Sequence, residues 1–232
     1  MDLTHGREPG SRYVAPDEPV SFLDQLKDTP RQLRIALWTT APNGTKPDAE
    51  AQKGLDDTVS LLEDLGHIVE ASAPELSGEA IGKALLMNIS AYTADLTQSR
   101  AQALGRPLQD DDLEPLTRDM VNLGHTVPMS MLAWANGVFQ ETAVTFVNWM
   151  DAGNFDLCLS PMLSREPDML GELSLSREDK DAYGKAVTSF APHASVFNMT
   201  GAPAMSVPLH WSSNNLPCLL YTSDAADEVS WG

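Results

Sequence analysis

Apolar positions recur along this chain at two different periods, and the change from one to the other lays out its elements. Leu33-Arg34-Ile35-Ala36-Leu37-Trp38-Thr39 is a short apolar run closed by Pro42-Asn43-Gly44, which predicts a strand and then a turn. Beyond Pro47 the period lengthens. Ala51, Leu55, Val59, Leu62 and Leu65 fall three or four residues apart, the spacing of one helical face. Asp48 suits the N-cap, Glu50 suits the positive end of the helix, and Gly66 stops it. His67 to Ala71 then reads as a second strand. Residues 33–71 therefore predict a β-α-β unit with parallel strands and a right-handed crossover.

The rest of the chain is mostly helical. A helix is expected from Ser77 to about Leu104, stopped by Gly105-Arg106-Pro107, and a shorter one from Leu113 to Leu123, ending at Gly124. After Pro128, a stripe of Leu132, Ala135, Phe139, Thr142, Phe146 and Trp149 predicts the longest helix, with its aromatic face in the core. Asp151 to Asn154 ends that helix, and Phe155 to Leu159 forms a strand meeting Ser160-Pro161. Residues 164–175 read as a flexible loop, and Ser176-Arg177-Glu178-Asp179 as the cap of a helix running toward Phe190. Gly201 and Pro203 predict a turn before a buried strand, Ala204 to Val207. Residues 1–32 carry scattered Gly and Pro with little periodicity and read as an irregular connector. The fold class expected is α/β, a mixed sheet covered by helices.

Composition narrows the function. The 232 residues are 42% apolar, enough for a core, and carry a formal charge of −18, which opposes any phosphate backbone. Nucleic acid is not an expected partner. No apolar run is long enough to cross a membrane, and the N-terminus has neither the basic nor the apolar region of a secretory signal. Cys158 and Cys218 offer neither a disulfide framework nor zinc-ligand spacing, so a cytoplasmic location is expected and Cys158 reads as a small buried hydrophobe. His5, His67, His125, His193 and His210 are scattered with no i, i+4 pair, so no metal site is expected. The acidic run Asp110-Asp111-Asp112-Leu113-Glu114 lacks calcium-loop spacing and reads as a solvated loop entering a helix.

Ligands of open α/β sheets collect beyond the carboxyl ends of parallel strands, which makes Ser160, Pro161 and Met162 the expected pocket wall. A proline turn without a ligand would leave the same residues.

Three stretches give the chain a family likeness. Asn198-Met199-Thr200-Gly201-Ala202-Pro203-Ala204-Met205-Ser206-Val207-Pro208-Leu209 resembles the block Asn-x-Thr-Gly-x-Pro-Ala-x-Ser-x-Pro-Leu in the C-terminal half of amidase signature enzymes, which are serine hydrolases of carboxamides. Phe155-Asp156-Leu157-Cys158-Leu159-Ser160-Pro161-Met162 resembles that family's Tyr/Phe-Asp-x-Leu-Leu-Thr-Pro-Thr landmark. His5 to Tyr13 resembles the connector that follows its catalytic half, and the order of the β-α-β unit is also similar. The combination of Ala191 to Asn198 with Pro208-Leu209-His210-Trp211 looks most like the 6-aminohexanoate-cyclic-dimer hydrolase group of bacterial amidases. A generic amidase, or the amidase-like component of an aspartyl/glutamyl-tRNA amidotransferase, stays open.

The resemblance implies a Ser-Ser-Lys mechanism without metal or organic cofactor, acting on a linear or cyclic amide. It also implies that the catalytic residues lie elsewhere. Neither a Gly/Ser-rich segment with two spaced serines nor a lysine in a matching context occurs here, so no catalytic residue is assigned. Residues 1–217 are expected to be the C-terminal part of a single amidase domain that begins mid-protein, inactive alone, whose full-length parent is a homodimer. Residues 218–232 depart from the family pattern after Asn215-Leu216-Pro217 and read as a non-native tail, outside fold reasoning. The rival expectation is a self-sufficient acidic α/β module binding a small ligand at Ser160 to Leu163.

Overall fold

The computed structural model describes residues 9–10, 21–25, 27–109 and 111–224. The chain divides into two units, Met1–Leu33 and Arg34–Gly232. Within the first, the described secondary structure is the short helix α1 (Phe22–Gln25). The connector resemblance at His5 to Tyr13 lies almost wholly outside the described residues.

The second unit is built on a five-stranded mixed sheet. Its strands are β1 (Arg34–Leu37), β2 (Ile68–Ala71), β3 (Leu157–Pro161), β4 (Ala204–Trp211) and β5 (Pro217–Asp224), in the order β2-β1-β3-β5-β4. β1 runs parallel to β2 and to β3, with Ile35 opposite Val69 on one side and Leu157 on the other, whereas β5 is antiparallel to both of its neighbours. The β-α-β expectation holds. Its helix, α2 (Ala49–Asp64), is capped by Asp48, whose carboxylate accepts the Ala51 N–H at 2.9 Å. Residues 218–224, which the sequence reading left outside fold reasoning, pair on both sides as β5.

Three long or medium helices cover one side. α3 (Gly78–Leu104) starts at Ser77, whose hydroxyl accepts the Ala80 N–H, and stops at Gly105, which takes the left-handed conformation at φ 65°. α4 (Pro115–Gly124) and α5 (Met129–Gly153) pack against it. α3 has 27 residues and α5 has 25, so the longest helix is α3 rather than the one expected. α6 (Lys180–Phe190) is capped by Asp179 as expected.

The segment before Gly201 adds an element to the sequence reading. Ala194–Thr200 forms a helix, α7, and Gly201 is its left-handed cap at φ 69°. Val196 and Phe197 face the core, which gives a seven-residue segment too short for a periodic signal the burial that holds it helical. β4 is also not buried. Met205, Leu209 and Trp211 are 62%, 45% and 61% exposed, because β4 is the sheet's outer strand.

The core lies between the sheet and α5 and α7. Ala36, Trp38 and Cys158 alternate onto one face of β1 and β3 and meet Phe146, Met150, Val196 and Phe197 there. The aromatic rings interlock. Trp38 lies 6.5 Å from Phe146, 6.3 Å from Trp149 and 6.2 Å from Phe197, centroid to centroid, the last two edge-on.

Candidate functional site at the carboxyl ends of the central strands

β1 and β3 end side by side. The Trp38 N–H donates to the Leu159 carbonyl at 2.9 Å, extending the parallel pairing one step past β1 and setting Trp38 beside Ser160. Ser160 and Pro161 complete β3 and are fully buried; the Ser160 Oγ has no hydrogen-bond partner among the described residues. Met162 follows, half-buried, and its Sδ meets the Ser206 Oγ of β4 at 3.1 Å. The three residues expected to form a pocket wall thus stand together at the strand end, and Met162 also reaches the Pro-Ala-Met-Ser block. A thioether takes no proton at neutral pH, so this contact does not make Ser206 a nucleophile.

The chain beyond Met162 is pinned rather than loose at its start. Ser164 donates through its N–H to the Phe190 carbonyl at 2.9 Å and through its hydroxyl to the Ser189 carbonyl, while its own carbonyl accepts the Asp48 N–H at 2.7 Å. Arg165 forks onto Asp168, donates to the Ser189 Oγ at 3.0 Å, and lies over the Phe190 ring. The paired Asp168 carboxylate holds the Arg165 guanidinium charged. Asn43, in the turn after β1, donates to the Thr188 carbonyl at 2.9 Å. The C-terminal turn of α6 is therefore tied to the ends of β1, β3 and the cap of α2.

His193 is the residue at this end that sequence reasoning missed. Its ring stands edge-on to Trp38 at 4.9 Å, is 1% exposed, and neither nitrogen has a partner among the described residues. Burial lowers its pKa to about 4, so the imidazole is neutral at pH 7. No local motif marks it. Only the packing of α7 under β1 brings it to Trp38. Cys158, one strand step from Leu159, is enclosed as expected, and burial pushes its thiol well above the range in which a thiolate forms.

His210 lies at the far end of β4, on α2. Its Nδ1 is 3.2 Å from Asp57 and its Nε2 3.7 Å from Glu50, and its Cβ would lie 3.2 Å from a side chain added at Gly54. Asp112 in the acidic run accepts both guanidinium nitrogens of Arg106 and the Gln109 N–H, which holds its carboxyl well below the usual range in a loop entering α4. Among the described residues no group of three or more His, Cys, Asp and Glu side chains is arranged to hold a metal ion, and no helix is long and apolar enough to cross a membrane. A small cavity of about 80 Å³ lies along the first turn of α3 and the middle of α5, lined by Leu76, Ala80, Ile81, Val138 and Thr142 among others, apart from Ser160 to Met162.

Comparison with known proteins places this arrangement. The Amidase family model matches residues 1–222. The chain is 27% identical over 224 residues to the 6-aminohexanoate-cyclic-dimer hydrolase of Pseudomonas sp. (strain NK87), covering 94% of this chain and 45% of that protein. It is 28% identical to the lipoamidase of Enterococcus faecalis, covering 91% of this chain and 31% of that one. The solved structure of 6-aminohexanoate cyclic dimer hydrolase with substrate superposes at a TM-score of 0.85 with 25% identity, over 95% of this chain and 47% of that chain. A bacterial aryl acylamidase of the amidase signature family shares the fold at a TM-score of 0.65 and 17% identity, over 84% of this chain and 40% of that chain. The chain spans about half the length of the cyclic-dimer hydrolases it matches.

Proposed function

The chain belongs to the Amidase family, and from that premise we propose that it is the C-terminal part of an amidase that hydrolyses a linear or cyclic carboxamide. The observation that carries this reading is the likeness to 6-aminohexanoate-cyclic-dimer hydrolases along nearly the whole chain, in sequence and in fold, at less than half of their length. An acyl transfer needs an activated hydroxyl and aimed N–H donors. In this reading the Ser-Ser-Lys set that supplies them stands in the preceding part of the protein, and no metal or organic cofactor takes part.

This chain then contributes the wall rather than the chemistry. Ser160, Pro161 and Met162 form that wall at the end of β3, with half-buried Met162 on its open side and the fully buried Ser160 and Pro161 behind it, and the ties from Ser164, Arg165 and Asn43 to α6 hold it in place. The whole protein is a homodimer in a bacterial cytoplasm. The test compares two purified proteins: the 232-residue chain, and the same chain joined to its upstream coding sequence. Both are assayed against 6-aminohexanoate cyclic dimer and simple aliphatic amides. Hydrolysis by the joined protein alone is expected. Turnover by the 232-residue chain, or none by a joined protein that is folded, would sink the reading.

A further inference from the structure

β4 buries the reverse of what its side chains would favour. His210 is the one buried residue of its eight, while Met205, Leu209 and Trp211 stand exposed. A histidine gains little from burial as such, so His210 is held by what it meets. Its Nδ1 lies 3.2 Å from the Asp57 carboxylate and its Nε2 3.7 Å from that of Glu50. Glu50, Gly54 and Asp57 follow one another at helical spacing, so they share one face of α2. Gly54 makes the room, since a Cβ there would stand 3.2 Å from that of His210.

The surroundings are built to the same end. Pro208 pairs with Leu219 and His210 with Cys218, which leaves Leu209 as an extra residue in β4. Such a bulge reverses the alternation of side chains. In an unbroken strand His210 would share a face with Ser206, and the extra residue turns it off that face onto α2. The two carboxylates are fixed from outside: Lys53 donates to Asp57 at 2.7 Å, and Ser213, just past β4, donates its N–H and its hydroxyl to Glu50 at 3.2 and 2.7 Å. At its start α2 is tied to the end of β3, through the Asp48 N–H on the Ser164 carbonyl at 2.7 Å. Ser206, four residues before His210, meets the Met162 Sδ at 3.1 Å. Direct contacts therefore run from the strand end through α2 to His210, and back along β4 to Met162.

We propose that His210 is a positioning residue that locks the edge strand β4 onto α2, and that the lock fixes the Ser206 hydroxyl against Met162 of the pocket wall. Its consequence for catalysis rests on the amidase reading above; the lock itself does not.

Hydrogen exchange on the full 232-residue chain tests the lock. His210→Ala is expected to speed exchange of the β4 amides at least tenfold and to leave β1 unchanged, and His210→Gln, which keeps a side-chain N–H, to return the rate to within threefold of the native chain. Gly54→Ala is expected to loosen β4 as His210→Ala does, although alanine favours a helix over glycine. Unchanged β4 exchange in either alanine variant, or acceleration spread evenly over the sheet, would overturn the lock. In the protein joined to its upstream coding sequence, His210→Ala is expected to raise KM for 6-aminohexanoate cyclic dimer at least fivefold with kcat within twofold, a split that a smaller folded fraction does not produce. An unchanged KM beside a loosened β4 would overturn the role at the wall. If the native joined protein hydrolyses no amide, the amidase reading falls and the exchange rates alone decide the lock.

Discussion

Two regions of this sheet treat aromatic residues in opposite ways. Around Trp38, just past β1, rings from α5 and α7 close on it until almost nothing is left exposed, and Trp38, Phe146 and Phe197 are 1%, 1% and 2% accessible. Along β4, Trp211 stands 61% exposed, with Met205 and Leu209 beside it. The two segments are similarly apolar in sequence. Apolar pattern shows which side chains gain from burial, but whether a partner surface lies within the same stretch of chain is a separate matter.

Breaking the closed region has the largest expected effect. Trp38→Ala removes four ring contacts at once and leaves a cavity between the sheet, α5 and α7, so a loss of about 3–5 kcal/mol is expected by denaturant titration. A loss below about 1 kcal/mol would mean that this cluster does not hold the fold.

The same cluster contains a group whose protonation opposes folding. His193 has its pKa lowered to about 4 by burial, whereas the unfolded chain takes up its proton near pH 6.5. Between those values the unfolded state binds more protons, so stability is full above about pH 6.5 and falls as the pH drops toward 4, by on the order of 3 kcal/mol. His193→Leu should flatten this slope. An unchanged slope in the variant would place the acid sensitivity in other groups.

Smaller effects separate local from tertiary control. Asp48→Ala deletes the α2 cap and should cost about 1 kcal/mol. Met205→Ser with Trp211→Ser, in the open region, should change stability by less than about 0.5 kcal/mol while lowering the binding of a hydrophobic dye. If that double variant unfolds the protein, β4 is packed and the contrast between the two regions disappears.

The position of the strand end was legible before any coordinates. The strand-end rule pointed to Ser160, Pro161 and Met162, and in the structure they stand at the end of β3 with Ser160 and Pro161 fully buried. His193 was not legible in that way. Histidine is compatible with surface, core and site alike, so its type alone does not say which it is.

The sequence by itself determined the local elements. Asp48 and Gly66 bounded α2, Ser77 and Gly105 bounded α3, and Asp179 opened α6, since caps and stops act through backbone groups a few residues away. It also determined the parallel pairing of β1 and β2, because a helical crossover between neighbouring strands allows little else. Only the tertiary structure decided that β3, far downstream of β1, would lie against it, that α7 would be helical, and that β4 would stand open. Those outcomes depend on which surfaces meet across long stretches of chain, and no short-range signal encodes the closing of such loops.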